Sequence, residues 1–310
     1  MKKIIALMLA VVMVFALCAC GSSNSNDKKD ASDSSEAKDY SSMTLDELKA
    51  ELKTVSDGKL TVATSPDFAP YEFYAIGEDG KPELAGFDMA LAQLIADKLG
   101  LELDVIPMDF DGTIAELQNK KVDIGLAGYS PDPKRESVMN FSDIYYKGGQ
   151  SFVTVKDKAS EITSLETANN SKYHIGAQTG SIQSDLAKKN TPDADNIDLT
   201  KVTDIIAELI SGKLDGAFIE TAVAESYQKQ YPDLVIVCDV PYEAEGSVVG
   251  VNKDNEVLLA AINLIIKDAL ADGTIDQFVT EANEKASGET YEGLLDENGN
   301  AVEATEAPAA

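Results

Sequence analysis

Two stretches of the chain repeat one pattern, and this repeat decides the fold. Residues 116–127 read ELQNKKVDIGLA, and residues 208–219 read ELISGKLDGAFI. Each pattern indicates the end of a helix, a tight turn and a buried strand. Two such units predict two lobes that are built alike. The residues that follow the strands, Gly128 and Glu220, would then lie at the carboxyl ends of equivalent strands, where open α/β sheets bind ligands.

Strand and helix patterns alternate around the first unit. We predict a helix over Phe87–Leu99 that ends at Gly100 and a helix that Asp111 caps and that runs through Asn119. The strands predicted with them are Lys59–Thr64, Leu101–Ile106 and Val122–Ala127. The alternation predicts an α/β fold in which each lobe is a mostly parallel sheet flanked by helices.

The two ends of the chain differ in character from this core. Lys2, Lys3 and an uncharged run to Ala19 predict a signal peptide over 1–19, because the run is shorter than the ~20 residues of a membrane span. Residues 20–43 hold few apolar side chains and predict a flexible tether. A capping box at Thr44–Glu47 predicts a short helix within 44–57.

The remaining boundaries follow from the core length, which suits two domains. Lobe 1 is predicted over 58–152 together with 245–290, and lobe 2 over 153–244. A disordered tail is predicted over 291–310. The lobes would be joined by two hinge crossovers, near Ser151–Val155 and Gly246–Val251.

Charge and residue usage exclude several classes of function. The net charge is −28, and loss of Lys2 and Lys3 with the signal peptide would make it −30. Such a field repels nucleic acid, so no nucleic-acid partner is expected. A single histidine, and a single cysteine (Cys238) outside the N-terminal segment, predict no metal site, no cofactor and no nucleophilic catalytic arrangement. Cys238 itself is expected in the core.

Arg135 is the single arginine of the chain, although Lys and Arg together number 26. A guanidinium binds a carboxylate through two parallel hydrogen bonds, which a lysine cannot reproduce. Arg135 also follows the loop that leaves the strand ending at Ala127. We therefore predict that it binds a ligand carboxylate; a surface position is the alternative.

Four motifs in order carry a resemblance to a known family: TSPDFAPYE at 64–72, AGFDMALA at 85–92, VDIGLAG with the loop to Arg135 at 122–135, and NFSDIYY at 140–146. They are similar to the motifs of the solute-binding proteins of polar amino-acid ABC importers. The resemblance implies a two-lobed Venus flytrap, the type-II periplasmic-binding-protein fold. Residues Leu17–Cys20 also look like a bacterial lipobox, which implies a lipid on Cys20; an ordinary signal peptide is the alternative.

The resemblance assigns roles to individual positions. Arg135 and the backbone N–H of Ser130 would bind the ligand α-carboxylate in the loop that begins at Gly128. The turn Gly180–Ser181 would offer N–H groups at a helix start. Glu220 would receive the ligand ammonium, although the family usually has aspartate there.

Further positions leave alternatives open. Phe68 and Phe110 would flank the ligand or pack in the core. Ser65 stands where binders of cationic amino acids often have an acid, which argues against such a ligand. Asp88 is read as a helix cap or first-turn charge, and Glu72 either faces the cleft or braces its loop.

The resemblance implies the function as well. The chain would be an extracytoplasmic protein, lipid-anchored to the outer face of the membrane, that captures a free amino acid and delivers it to the permease of an ABC importer. A monomer without enzymatic activity is expected. The alternatives are a dehydratase-like enzyme on the same fold and a stand-alone amino-acid sensor.

Overall fold

The computed structural model describes residues 39–243, 246–288, 290–291, 294–295 and 301–302. The predicted signal peptide 1–19, the predicted lipidation site Cys20 and the predicted tether up to residue 38 lie outside the described residues. Within the described part of the chain, no helix combines the length and the apolar character needed to cross a membrane.

Helices and strands alternate through most of the chain. The helices are α1 (Leu45–Glu51), α2 (Phe87–Leu99), α3 (Phe110–Gln118), α4 (Leu165–Ala168), α5 (Ile182–Asn190), α6 (Val202–Ile210), α7 (Thr221–Gln230), α8 (Glu256–Ala271) and α9 (Thr274–Ala286). The strands are β1 (Lys59–Thr64), β2 (Asp67–Phe68), β3 (Glu72–Ile76), β4 (Pro82–Ala85), β5 (Glu102–Pro107), β6 (Ile124–Gly125), β7 (Met139–Phe141), β8 (Gln150–Val155), β9 (His174–Gln178), β10 (Asp195–Leu199), β11 (Gly216–Glu220), β12 (Leu234–Asp239), β13 (Gly250–Asn252), β14 (Thr290–Tyr291), β15 (Leu294–Leu295) and β16 (Ala301–Val302).

The sheets confirm the two-lobed α/β architecture. The sheet of lobe 1 has the order β5-β1-β6-β13-β7, and the sheet of lobe 2 has the order β10-β9-β11-β8-β12. Each sheet is mixed: β5-β1-β6 and β10-β9-β11 pair in parallel, whereas β13 and β8 pair antiparallel with both neighbours. A small sheet of β2, β3, β4 and β14 lies beside them.

Several elements match the patterns that predicted them. Strand β1 and helix α2 have the predicted bounds, and α2 ends at Gly100, whose φ of 74° is left-handed. The N-cap position of α3 is held by Asp109, which makes no side-chain capping bond, and the predicted cap Asp111 lies in the first turn. The buried run 122–127 contributes only Ile124–Gly125 to the ladder.

The repeated units occupy equivalent places, as their sequences predict. In lobe 1, Asp123 accepts two hydrogen bonds from Thr61 on β1, one from the N–H (2.9 Å) and one from the hydroxyl (2.5 Å) of that residue. It accepts a third from the N–H of Val55 (2.8 Å). In lobe 2, Asp215 accepts one from the N–H of His174 (2.9 Å) on β9 and pairs with Lys158 (2.9 Å). Each aspartate thus ties its turn to the neighbouring parallel strand.

The first crossover lies earlier in the chain than the sequence analysis placed it, whereas Ser247 of the second lies within the predicted Gly246–Val251. Strand β8 belongs to lobe 2 along its whole length, so the predicted boundary between 152 and 153 falls within a strand. The crossovers meet where Tyr146 and Ser247 form an antiparallel bridge, with Ser247 N–H donating to Tyr146 O at 2.7 Å. The error arises because the backbone is extended on both sides of the crossover.

The flanks of the core are more ordered than predicted. The capping box of Thr44 and Glu47 is present, and α1 packs Leu48 into the core. Tyr40 and Met43, predicted in the tether, pack against the same core. In the predicted disordered tail, β15 pairs with β16 and Tyr291 pairs with β3.

Candidate functional site

Arg135 ends a short 3₁₀ helix, Pro133–Arg135, and reaches from lobe 1 to lobe 2. Its Nη2 donates a hydrogen bond to the carbonyl oxygen of Gly180 at 2.9 Å. The guanidinium carbon lies 5.5 Å from the ring centroid of Phe110, and Nε lies 4.0 Å from a carboxylate oxygen of Asp132. The residue is only 8% exposed. The structure therefore excludes the surface alternative for this arginine.

Gly128 begins the loop that carries Arg135, and its backbone conformation needs glycine. Its φ is +57°, and a Cβ there would lie 2.7 Å from the ring of Phe68. Its N–H donates to Asp88 (3.0 Å), which also accepts from the hydroxyl of Tyr145 (2.6 Å). Asp88 therefore holds this loop from the first turn of α2, where it was expected, although its side chain makes no capping bond.

Glu72 lies buried beside Asp88 and does not face the open cleft. Burial raises the pKa of Glu72 well above its usual value, and the charge of Asp88 raises it further. Burial also raises the pKa of Asp88 to about 6, although the hydrogen bond from Tyr145 opposes that shift. Glu72 is absent from the cavity wall, and no hydrogen bond joins its carboxylate to its own loop.

A small cavity lies between the lobes at this point. Residues of both lobes line it: Phe68, Phe110, Ala127, Gly128, Ser130, Arg135, Gln178, Ile182 and Gln183. Its volume is ≈ 10 Å³, about the space that one water molecule needs. An amino acid therefore enters only if the lobes separate.

The Gly180–Ser181 turn lies beside this cavity, but the N–H of Ser181 is engaged. It donates to the carbonyl oxygen of Gln178 at 3.2 Å, and the hydroxyl of Ser181 accepts from Ser184 N–H as the cap of α5. The next residues, Ile182 and Gln183, begin the helix and line the cavity. Because the first N–H groups of a helix have no acceptor within it, the donors at this helix start lie one or two residues later than predicted.

Glu220 ends β11 as predicted, but its carboxylate points into the hinge. One oxygen accepts from the N–H of Val223 (3.0 Å) and caps α7, and the other accepts from the N–H of Gly149 (3.2 Å). Glu220 is not among the residues that line the cavity. Burial raises its pKa to about 7.

The other predicted positions are divided between the cavity and its surroundings. Phe68, Phe110 and Ser130 line the cavity. Ser65 is buried outside its lining and donates a hydrogen bond to Asp67 at 2.9 Å. Cys238 is half-buried at the edge of the lobe 2 core rather than within it.

Sequence reasoning missed Gln178 and Gln183 in the cavity wall. Gln178 ends β9 just before Gly180, so the rule that ligands bind at the carboxyl ends of parallel strands could have found it. Gln183 lies on α5 and donates to Gln150 at 2.8 Å. In the described residues, no group of three or more His, Cys, Asp or Glu side chains is arranged to hold a metal ion.

Comparison with known proteins decides the family. The model of the bacterial extracellular solute-binding proteins, family 3, matches residues 60–282. The chain belongs to this family. The matched range includes both crossovers, lobe 2 and most of lobe 1 of this family 3 protein, whose β1 begins at Lys59 and whose α9 ends at Ala286.

Individual relatives agree with that assignment. The arginine-binding extracellular protein ArtP of Bacillus subtilis is 34% identical over 281 residues, which cover 89% of this chain and 96% of that protein. An arginine-bound crystal structure of the ABC transporter substrate-binding protein AbpA of Streptococcus pneumoniae matches with a TM-score of 0.72 and 30% identity, covering 79% of this chain and 100% of that one.

One structural neighbour is described as the ancestor of an enzyme. It is the ancestral amino-acid-binding protein AncCDT-1, described as a precursor of cyclohexadienyl dehydratase. The TM-score is 0.66 at 30% identity, with 77% of this chain and 99% of that chain covered. The two relatives above are named as binding proteins.

Proposed function

We propose that this family 3 protein captures free arginine between its lobes and delivers it to the permease of an ABC importer. The observation that carries the proposal is the sole arginine of the chain, buried in the cleft wall and hydrogen-bonded across the cleft to Gly180. A guanidinium in this position matches a ligand α-carboxylate with two parallel hydrogen bonds. ArtP and AbpA supply the proposed identity of the ligand.

Ligand binding would exchange one partner of Arg135 for another. In the closed form the guanidinium donates to a backbone carbonyl, which is a neutral acceptor. A ligand carboxylate is the stronger acceptor because charge-assisted hydrogen bonds are shorter and about twice as strong. The ligand thus stabilises a closed form by contacts with both lobes, and the permease recognises that closed form.

The cavity wall suits the other end of an arginine ligand. Guanidinium groups stack on aromatic faces, and Phe68 and Phe110 lie in the wall. The side-chain amides of Gln178 and Gln183 add polar groups to the same wall. Glu220 remains the predicted partner of the ligand ammonium.

The finer points of cellular context belong to the same proposal. The family is extracellular, and a lipid on Cys20 would anchor the protein to the outer face of the membrane. The protein would act as a monomer, without enzymatic activity and without a metal or cofactor. Cys20→Ala is expected to release it from the membrane, as fractionation of cells would detect.

Calorimetric titration of the purified chain with each common amino acid tests the proposal. We expect L-arginine to bind most tightly and to be recovered unchanged by mass spectrometry. Tight binding of another amino acid with no binding of arginine would contradict the ligand. Sustained conversion of a bound compound would favour the dehydratase-like enzyme. Normal arginine uptake by cells that lack the protein would favour a stand-alone sensor.

A further inference from the structure

Asp67 lies on β2 of lobe 1, and its carboxylate reaches lobe 2. One oxygen accepts hydrogen bonds from the backbone N–H of Val202 (2.6 Å) and from the side-chain amide of Gln178 (3.2 Å). The other oxygen accepts from the hydroxyl of Ser65 (2.9 Å). Asp67 is therefore held by its own lobe on one side and by the opposite lobe on the other.

The contact on lobe 2 is the start of α6. Val202 is the first residue of that helix, and Lys201, the N-cap residue, makes no side-chain capping bond. The first N–H groups of a helix have no acceptor within it, and a carboxylate there is favoured by the helix dipole. Lobe 1 thus supplies an acceptor at the start of a lobe 2 helix.

We propose that Asp67 is a positioning residue for closure, which holds the cleft shut by capping α6 from the opposite lobe. The inference rests on the proposed function, because closure matters for capture of a ligand. Asp67 does not line the cavity, so it would act on the fit of the lobes and not on the ligand. Without its carboxylate, closure would leave the N–H of Val202 buried without this acceptor.

The charges around Asp67 add a pH dependence. Burial raises its pKa to about 6, while the N–H of Val202, Ser65 and the positive charge of Lys201 oppose that shift. Glu72 is the acidic group nearest to it, and the charge of Asp67 helps to raise the pKa of that buried carboxyl. In separated lobes the carboxyl would regain water and its ordinary pKa near 4. The closed form therefore binds a proton more tightly, so closure is favoured as the pH falls from 7 through 6.

Two substitutions remove the proposed bond from opposite sides. Asp67→Ala removes the acceptor. Val202→Pro removes the donor at a helix position that accepts proline, and Lys201 already has the extended conformation (φ −115°, ψ 142°) that a residue before proline adopts. Lys134→Ala is the matched control, because it breaks an exposed cross-lobe ion pair with Asp185 (2.5 Å).

The experiment measures arginine dissociation by stopped flow and amide exchange by NMR in the full chain. We expect Asp67→Ala to release arginine about tenfold faster, Val202→Pro to do the same, and the double variant to add little. The control is expected to change the rate less than about twofold. Between pH 7.5 and 5.5 the affinity of the wild type should rise, and this rise should be smaller in Asp67→Asn.

Amide exchange separates this inference from the proposed function. In Asp67→Ala the N–H of Val202 should exchange about tenfold faster, whereas that of Ile205, bonded to Lys201 O within α6, should not change. If the wild-type protein binds no arginine, the proposed ligand is contradicted. Amide exchange at Val202, measured without ligand, still tests the contact between Val202 and Asp67. Wild-type dissociation and exchange rates in Asp67→Ala, or full additivity in the double variant, would overturn the inference.

Discussion

Strands β6 and β11 end at equivalent edges of the two lobes, yet the chain continues from them in different ways. After β6 it forms a loop that starts at Gly128 and carries Arg135 into the cleft. After β11 it turns directly into α7, and Glu220 becomes the cap of that helix. The repeat therefore predicts where the backbone goes, whereas the next few residues decide what reaches the ligand.

The largest expected difference between the lobes concerns their paired aspartates. Asp123 is 1% exposed and accepts three hydrogen bonds, whereas Asp215 is 7% exposed and accepts one from His174 besides its ion pair with the part-exposed Lys158. We expect Asp123→Ala to lower the free energy of unfolding by about 3 kcal/mol and Asp215→Ala by about 1 kcal/mol. Urea denaturation measures both.

The matched control is Asp254→Ala, which removes an exposed ion pair with Lys120 and should cost less than about 0.5 kcal/mol. Equal losses in Asp123→Ala and Asp215→Ala would show that burial does not set the difference between the two units.

The second prediction concerns Glu220. The equivalent position in lobe 1 is Gly128, which carries no charge. The pKa of Glu220 is raised to about 7, so its contribution to stability is complete below its unfolded pKa and is lost as the pH rises through 7. From pH 5 to pH 8 the wild type should therefore lose about 2 kcal/mol more stability than Glu220→Gln. Thermal melts across this range measure the difference.

The same variant also tests the predicted ammonium contact. If Glu220 meets the ligand ammonium, Glu220→Gln weakens binding of arginine but not of its analogue without the α-amino group. Parallel pH–stability curves for wild type and variant would contradict the buried, hinge-facing position of this carboxylate.

The third and smallest prediction compares the two turns that precede the strands. Gly212 in lobe 2 has φ +76°, and the equivalent residue of lobe 1 is Lys120, with φ +57°. A left-handed conformation costs a residue with a Cβ about 1 kcal/mol. We expect Lys120→Gly to stabilise and Gly212→Ala to destabilise the protein, each by about that amount, in urea titrations. A Cβ at Gly212 meets no atom within 4 Å, so a change of the same sign in both variants would refute the comparison.

Local signals in the sequence predicted much of the fold. The apolar spacing of α2 and the stop at Gly100 are local, and so is the capping box of α1. The partners of Asp67 lie 111 and 135 residues away, so no local pattern could show its role. The hydrogen bond that Glu220 accepts from Gly149 could not be predicted for a related reason, because the two residues lie 71 positions apart.

Arg135 was predictable because residue usage and location converged on one position. The structure adds its burial, its contact with Phe110 and its bond to the opposite lobe. The sequence could not show that this bond occupies the guanidinium in the closed form, since Gly180 lies 45 residues away.

Calorimetric titration of Arg135→Lys with L-arginine tests the central claim most directly. Lysine keeps the positive charge but loses the two-point fork, so we predict at least about tenfold weaker binding, with Arg135→Ala weaker still. Circular-dichroism melts should show that both variants remain folded. Wild-type affinity in both variants would place the only arginine outside the ligand site and contradict the account of carboxylate binding.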